Sequence, residues 1–187
     1  MRLLLATGNA HKVVEVQEAL GDGVLVEAHD TGAEETGTTF EENALIKARA
    51  LAAQVGELAL ADDSGIEIDH LGGEPGIRSA RWTDEADWIP RVLRELAGVG
   101  PERRGCRYVC AAAAVWPDGH EVVVRGTVEG RIAEAPRGAG GFGYDPLVVP
   151  HEGDGRTFAE MSPEEKQAIS HRARAFRALL AHLHPVL

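Results

Sequence analysis

The stretch Arg2–Leu20, RLLLATGNAHKVVEVQEAL, changes its hydrophobic period within a few residues. Leu3, Leu4 and Leu5 make an unbroken apolar run that reads as a short buried strand over Arg2–Ala6. Thr7-Gly8-Asn9 breaks it. Beyond the break, Val13, Val16 and Leu20 recur at helical spacing, so a helix is predicted from about Ala10 to Leu20. The rest of the chain is read outward from this strand, break and helix.

Val24–Ala28 reads as a second strand and the polar Asp30–Thr38 as a loop. Thr39-Phe40-Glu41-Glu42 has capping-box spacing and opens a helix that runs to about Val55, with Gly56 as its stop. Leu58–Ala61 is apolar, and Ile66 and Ile68 alternate with Glu67 and Asp69. That predicts strand, turn, strand, with Asp62-Asp63-Ser64-Gly65 in the turn. Leu71–Arg81 is a glycine-rich loop. Glu85–Leu96 is predicted helical, with Pro90 placed early or bending it. Arg107–Trp116 and Glu121–Arg125 flank the turn Pro117-Asp118-Gly119 as a hairpin, and the sheet continues towards Ile132. Ala135–Gly143 is a second glycine-rich loop. Ser162-Pro163-Glu164-Glu165 is another capping box, and helix extends in some form to about His182. No linker interrupts the chain, so residues 1–187 are read as a single domain.

A net charge of −11 argues against a nucleic-acid polymer as partner, because such binding rests on clustered Lys and Arg. It leaves room for a small anion in a locally basic pocket. Cys106 and Cys110 on one strand would lie about 13 Å apart, too far for a disulfide. Their spacing is not a zinc pattern, and a reducing, cytoplasmic setting is expected. Leu3–Ala6 is too short for a signal-peptide core, and no apolar run approaches the length of a membrane span.

Several constellations carry possible chemistry. The first turn of a helix attracts anions, and Thr7, Gly8, Asn9, Ala10, His11 and Lys12 stand at such a turn. Lys12 there opposes the helix dipole, a conflict that an anionic ligand removes. The alternative is an ordinary turn with an exposed lysine. Asp62 and Asp63 end an apolar segment and can hold a hard cation that neutralises phosphate charge, although Asp, Ser and Gly are also common turn formers. Glu34-Glu35-Thr36-Gly37 adds acids able to complete a metal site, or a solvated acidic surface. Lys47 lies one turn after Asn43 on the same helix face.

Gly140-Gly141-Phe142-Gly143-Tyr144-Asp145-Pro146 sets two aromatics in a glycine-rich loop. A base can stack on such rings; the alternative is a hydrophobic plug closing the sheet. On one straight helix, Lys166 and His171 would point about 140° apart. Ser170, however, can cap a fresh helix that begins at His171. A break is therefore predicted at Ser170, with His171 and Arg172 at an anion-attracting helix start; the alternative is one continuous amphipathic helix.

Taken in order, the motifs resemble those of the inosine triphosphate pyrophosphatase family, which clears deaminated purine nucleotides. The resemblance is carried by Ala6-Thr7-Gly8-Asn9 with Lys12, Glu34–Gly37 leading to Phe40–Ala44 and Lys47, and Ala61–Gly65. It continues through Gly72–Ile77 with Ser79-Ala80-Arg81, Gly140–Pro146, Glu165-Lys166 and Ser170-His171-Arg172. These run from one end of the chain to the other in family order.

The resemblance implies an α/β fold in which a long twisted mixed sheet flanked by helices floors a cleft between two lobes. It also implies a homodimer, Mg²⁺, and the reaction NTP + water → NMP + pyrophosphate on ITP, dITP and XTP. Carried over by position, Asp63 is the catalytic acid–base residue and a metal ligand, Glu35 the second metal ligand, and Asp62 a helper. Thr7 to Lys12, Lys47, Ser64 and Lys166 hold phosphates and sugar. Phe142, Gly143, Tyr144, Asp145, His171 and Arg172 enclose and read the base. Asp87-Trp88-Ile89-Pro90 departs from the family's asparagine-containing segment, and Ala139 stands where a hydroxyl residue is usual. The competing readings are a pyrophosphatase of broader or different base specificity and a nucleotide-binding sensor without turnover.

Overall fold

The apolar run at the start of the chain forms β1 (Arg2–Ala6), buried at every residue after Arg2. A computed structural model of the chain describes residues 2–82 and 88–183. After β1 come α1 (Ala10–Leu20), β2 (Leu25–His29), α2 (Phe40–Val55), β3 (Ala59–Ile68), α3 (Ile89–Glu95), β4 (Gly105–Val115), β5 (Glu121–Ile132), β6 (Val148–Pro150), α4 (Pro163–Ile169) and α5 (His171–Leu183). The strands form one six-stranded sheet in the order β2-β1-β3-β4-β5-β6. β1 pairs in parallel with β2 and β3, while β5 and β6 are antiparallel, so the sheet is mixed and the expected α/β class is observed.

Two compact units divide the chain: Met1–Ser64 with Cys110–Thr127 and His171–Leu187, and Gly65–Val109 with Val128–Ser170. In the first, Leu3, Leu5, Leu60, Cys110, Ala112 and Ala114 join Val16 of α1 and Phe176 and Leu179 of α5 in one core. Because side chains alternate along a strand, Leu4 and Ala61 face the other way, where α2 packs beside β1 with Phe40, Ala44 and Leu51 buried. Gln17 fastens α1 to β2, donating to the Val24 carbonyl (2.6 Å) and accepting from the Val26 N–H (2.9 Å). Thr39 caps α2 as its spacing predicts, accepting from the Glu42 N–H (3.1 Å). Glu42 reaches one residue further back than a capping box requires, accepting from the Thr38 N–H (2.6 Å).

The backbone of α5 lies directly against β5 at Gly126. A Cβ there would meet the His171 carbonyl oxygen and, at 2.6 Å, the Ala175 nitrogen. Gly126→Ala is therefore expected to destabilise the protein by about 1–3 kcal/mol, the ordinary cost of overpacking. Urea denaturation measures it, with Gly23→Ala as the control, since a Cβ at Gly23 meets nothing within 4 Å.

In the second unit, Ile66, Ile68, Val92, Leu96, Cys106, Tyr108, Val128, Ile132, Leu147 and Phe158 make the core. Arg104 is buried and donates to the carbonyls of Leu96, Val99, Ile132 and Ala133, so that the segment after α3 is fastened to the end of β5. Short 3₁₀ turns at Asp69–Leu71 and Gly76–Arg78 organise the segment read as a plain loop. α3 starts at Ile89 with Pro90 in its first turn; the Glu85–Asp87 part of the predicted helix lies outside the described residues. The short β6 had no sequence signal of its own. The predicted break is present: Ser170 adopts extended angles (φ −64°, ψ 148°), ends α4 and precedes α5.

One expectation is corrected. Asp62-Asp63-Ser64-Gly65 is not a turn but the middle of the continuous strand β3. Turn-forming residues are tolerated there because both carboxylates are buried against cations and amide donors, which removes the need to face water.

Candidate active site

The last β1–β3 register pair is Ala6 with Ala61, so Asp62 and Asp63 come just past the carboxyl end of β1. There the chain turns into α1. Thr7 accepts from the Asn9 N–H (3.1 Å), and Asn9 caps the helix by accepting from the His11 N–H (2.9 Å). Ligand sites in parallel sheets form outside the carboxyl ends of the strands. Strand parity then sends the two carboxylates to opposite faces.

Asp62 points to the α1–α5 side. Its Oδ2 lies 3.0 Å from Lys12 Nζ and 3.3 Å from Arg172 Nε, and it accepts from the Ser64 hydroxyl. Arg172, only 2% exposed, also donates to Ser64 Oγ (2.9 Å) and pairs with Glu15. Burial opposes ionisation of Asp62, but Lys12, Arg172, Lys47 and the Ser64 hydrogen bond together outweigh it. The carboxyl is held far below the usual carboxylate range. Asp62 is a locked anion.

Asp63 points to the α2 side. Asn43 Nδ2 donates to its Oδ2 (3.1 Å), the Ser64 N–H to its Oδ1 (3.1 Å), and Lys47 Nζ lies 3.5 Å from Oδ1. Lys47 also grips Glu35 at 2.6 Å. Asn43 accepts from the Gly37 N–H (2.8 Å), which pins the Glu34–Gly37 loop beside the carboxylate. Here burial, reinforced by the charge of Glu35, raises the Asp63 carboxyl above its ordinary value despite Lys47, Lys12 and Asn43. Burial disfavours the Lys47 ammonium, but Asp62, Asp63 and Glu35 reverse the shift and keep it charged. The two neighbouring carboxyls are thus shifted in opposite directions.

No group of three His, Cys, Asp or Glu side chains poised for a metal occurs among the described residues. Glu35 and Asp63 nevertheless share one ammonium, and carboxylate pairs of this kind suit a hydrated Mg²⁺, which takes one or two carboxylates and completes its shell with water and phosphate oxygens. Two carboxylates that converge on one cation, at 2.6 and 3.5 Å, are the oxygen donors such an ion takes, so these residues fit it.

The remaining candidates form a cluster in the second unit. Asp145, 2% exposed, accepts from the Phe142 N–H (2.9 Å) and the Tyr108 hydroxyl (3.0 Å) and pairs with Lys166 (2.7 Å). Lys166 Nζ lies 4.7 Å from the centre of the Phe142 ring. The loop reading divides here: Tyr144 is buried in the core as a plug, its hydroxyl donating to the Ser79 carbonyl (2.7 Å), while Phe142 is half-buried. Burial pushes the Tyr144 phenol well above its usual range.

Gly8, Ala10 and His11 are exposed along the β1–α1 turn; Gly143 is half-buried beside Phe142, and His171 is buried at the start of α5. Asn43, which shares a helix face with Lys47 and is expected to meet a phosphate with it, has its side chain joining the acidic loop to Asp63. One residue escaped the sequence reading of the site: Glu15 follows Lys12 by one helical turn, and that spacing was the available signal.

A model of the Ham1 family matches residues 3–182. A dITP/XTP pyrophosphatase of Symbiobacterium thermophilum is 53% identical over 192 residues, covering 100% of this chain and 96% of the relative. One from Streptomyces coelicolor is 48% identical, covering 96% and 95%. Among solved structures, the Ham1 protein of Staphylococcus aureus superposes with a TM-score of 0.86 at 35% identity, covering 100% of both chains. The nucleoside-triphosphatase / dITP/XTP pyrophosphatase of Mycobacterium abscessus gives 0.76 at 44%, covering 96% and 99%. The family model and the full-length similarity agree, and the chain belongs to the Ham1 family.

Proposed function

We propose that the chain hydrolyses deaminated purine nucleoside triphosphates, ITP, dITP and XTP, to the monophosphate and pyrophosphate. The observation that carries the reading is the placement of adjacent carboxylates on opposite faces of β3, Asp62 against Lys12 and Arg172, and Asp63 against Asn43 and the Lys47 that it shares with Glu35. A site that only bound a polyanion would gain nothing from a buried carboxyl with a raised proton affinity beside its lysines.

In this mechanism Asp63 orients a water and accepts its proton as the oxygen attacks the α-phosphorus in line. Mg²⁺, held by Glu35 and Asp63, would neutralise phosphate charge when bound. Lys47 and Lys12 leave their carboxylate partners for phosphate oxygens, and Ser64 and the Thr7–His11 turn add neutral donors. Asp62 holds Lys12 beside the turn, with Nζ 3.0 Å from Oδ2. Phe142 to Asp145 supply the contacts to the base. Hypoxanthine and xanthine carry an acceptor oxygen at C6, where adenine carries a donor amino group, so donors aimed at that position reject ATP. The whole chain acts as one pyrophosphatase domain in this reading, as a homodimer in the cytoplasm. No helix among the described residues is long and apolar enough to cross a membrane.

Pyrophosphate release from ITP, XTP, dITP, GTP, ATP and dUTP, with and without Mg²⁺, tests the proposal. ITP, dITP and XTP should exceed ATP in kcat/KM by about 10²-fold or more, the scale a hydrogen-bonding site supports. Equal rates for ITP and ATP would overturn the specificity, and absence of pyrophosphate the reaction itself. Size-exclusion chromatography with light scattering tests the dimer.

A further inference from the structure

Trp88 takes no part in the reaction described above, yet it supports the loop assigned to the base. It precedes α3 at the position where Ser, Thr, Asp or Asn usually caps a helix, and its side chain makes no capping bond. Its ring is stacked on Tyr144 instead, with centroids 5.7 Å apart and planes 29° from parallel. The indole Nε1 is buried without a hydrogen-bond partner. The contribution of Trp88 to its surroundings is therefore the aromatic face rather than the polar edge.

Tyr144 needs such an anchor. It follows Gly143, and both Gly141 (φ 67°) and Gly143 (φ 61°) adopt left-handed angles; the Asp145 N–H on the Phe142 carbonyl (3.3 Å) and the Ala159 N–H on the Asp145 carbonyl (3.2 Å) hold the backbone, and further order comes from side chains. Three attachments supply it: the Trp88 stack, the Tyr144 hydroxyl on the Ser79 carbonyl at 2.7 Å, and Asp145 with Phe142, Tyr108 and Lys166. Phe142, whose ring lies under Lys166, is held by the same turn.

We propose that Trp88 is a positioning residue for base selection: it fixes Tyr144 and, through it, the Phe142–Asp145 turn before the nucleotide arrives. This rests on the assignment of that turn to the base. A preorganised turn binds the right base without an ordering cost and yields little to the wrong one. Loosening it raises KM and blurs discrimination while leaving the phosphate chemistry in place.

Trp88→Ala and Trp88→Phe form the test, since Phe keeps the ring and lacks the unpaired N–H. Trp88→Ala should raise KM for ITP roughly three- to tenfold, the range expected from one aromatic pair, with kcat little changed and the preference for ITP over ATP reduced by a similar factor. Trp88→Phe should restore both. Amide hydrogen exchange at residues 141–145 of the nucleotide-free protein should quicken in Trp88→Ala and not in Trp88→Phe. Unchanged exchange in Trp88→Ala, or faster exchange with unaltered KM and preference, overturns the proposal. Failure of the unaltered protein to hydrolyse ITP refutes the function reading instead, and the exchange measurement still decides whether Trp88 orders the turn.

Discussion

Asp63→Asn is expected to lower kcat for pyrophosphate release by about 10²–10⁴-fold, the usual yield of a positioned general base. The substitution keeps the shape of the side chain and removes only its ability to take a proton and carry charge. Asn43 donates to one carboxylate oxygen and the Ser64 N–H to the other; the amide oxygen accepts from one of them and its NH2 group faces the second, at a cost of about 1–3 kcal/mol. Lys47 keeps Glu35 as a partner at 2.6 Å. Removing the charge also relieves the repulsion between Asp63 and Glu35, the effect that adds to burial in raising the Asp63 carboxyl. The thermal midpoint should consequently fall only by the amount that one lost hydrogen bond entails, about 1–3 kcal/mol in stability, while activity collapses. A pyrophosphate-coupled assay beside a melting curve reads both, and full turnover in Asp63→Asn would remove this residue from the reaction.

Arg172→Met is expected to act in the opposite way, through the fold, with a loss of about 3–5 kcal/mol in unfolding free energy. Its guanidinium is the shared partner of Asp62 and Glu15, and the side chains of Arg172 and Asp62 are 2% and 0% exposed. A methionine fills much of the same volume but leaves a fully buried carboxylate with Lys12, the Ser64 hydroxyl and the Cys110 thiol and without its guanidinium. The cost falls on the group left behind, so a second change should recover part of it. In a double-mutant cycle, Arg172→Met combined with Asp62→Asn should be more stable than the sum of the single effects predicts, with a coupling of about 1–3 kcal/mol. Strict additivity in urea denaturation would refute the idea of one coupled network.

Much of this arrangement was legible in the residues. The β1 run, the Thr39 and Ser162 caps and the helix break at Ser170 follow from local pattern, because each depends on a few neighbours in sequence. The Asp62-Asp63-Ser64-Gly65 stretch misled for the converse reason. Its composition favours a turn in water, and only Lys12, Asn43, Lys47 and Arg172, distant in sequence, make an extended and buried course favourable. The same holds for Tyr144, whose burial depends on Trp88 and the Ser79 carbonyl, and for β6, a three-residue strand defined by its pairing with Gly130–Ile132. The link from Asn43 to the acidic loop was hidden as well: an asparagine in a helix does not show which loop it holds until that loop is in view.

The continuity of β3 has a bearing on how the gene would respond to random change. Neighbouring codons for the two aspartates should give different phenotypes in a library sorted twice, once for abundance and once for turnover. Changes at position 62 should deplete the abundance pool, and be rescued most readily by compensating changes at Arg172 or Glu15. Changes at position 63 should pass the abundance sort and fail only the second. Deleting one residue between Gly56 and Leu60 would exchange the faces of the two carboxylates, setting Asp62 towards α2 and Asp63 towards α1 and α5. An in-frame loss of a single codon there should therefore be as damaging as loss of both acids, although neither acid is touched.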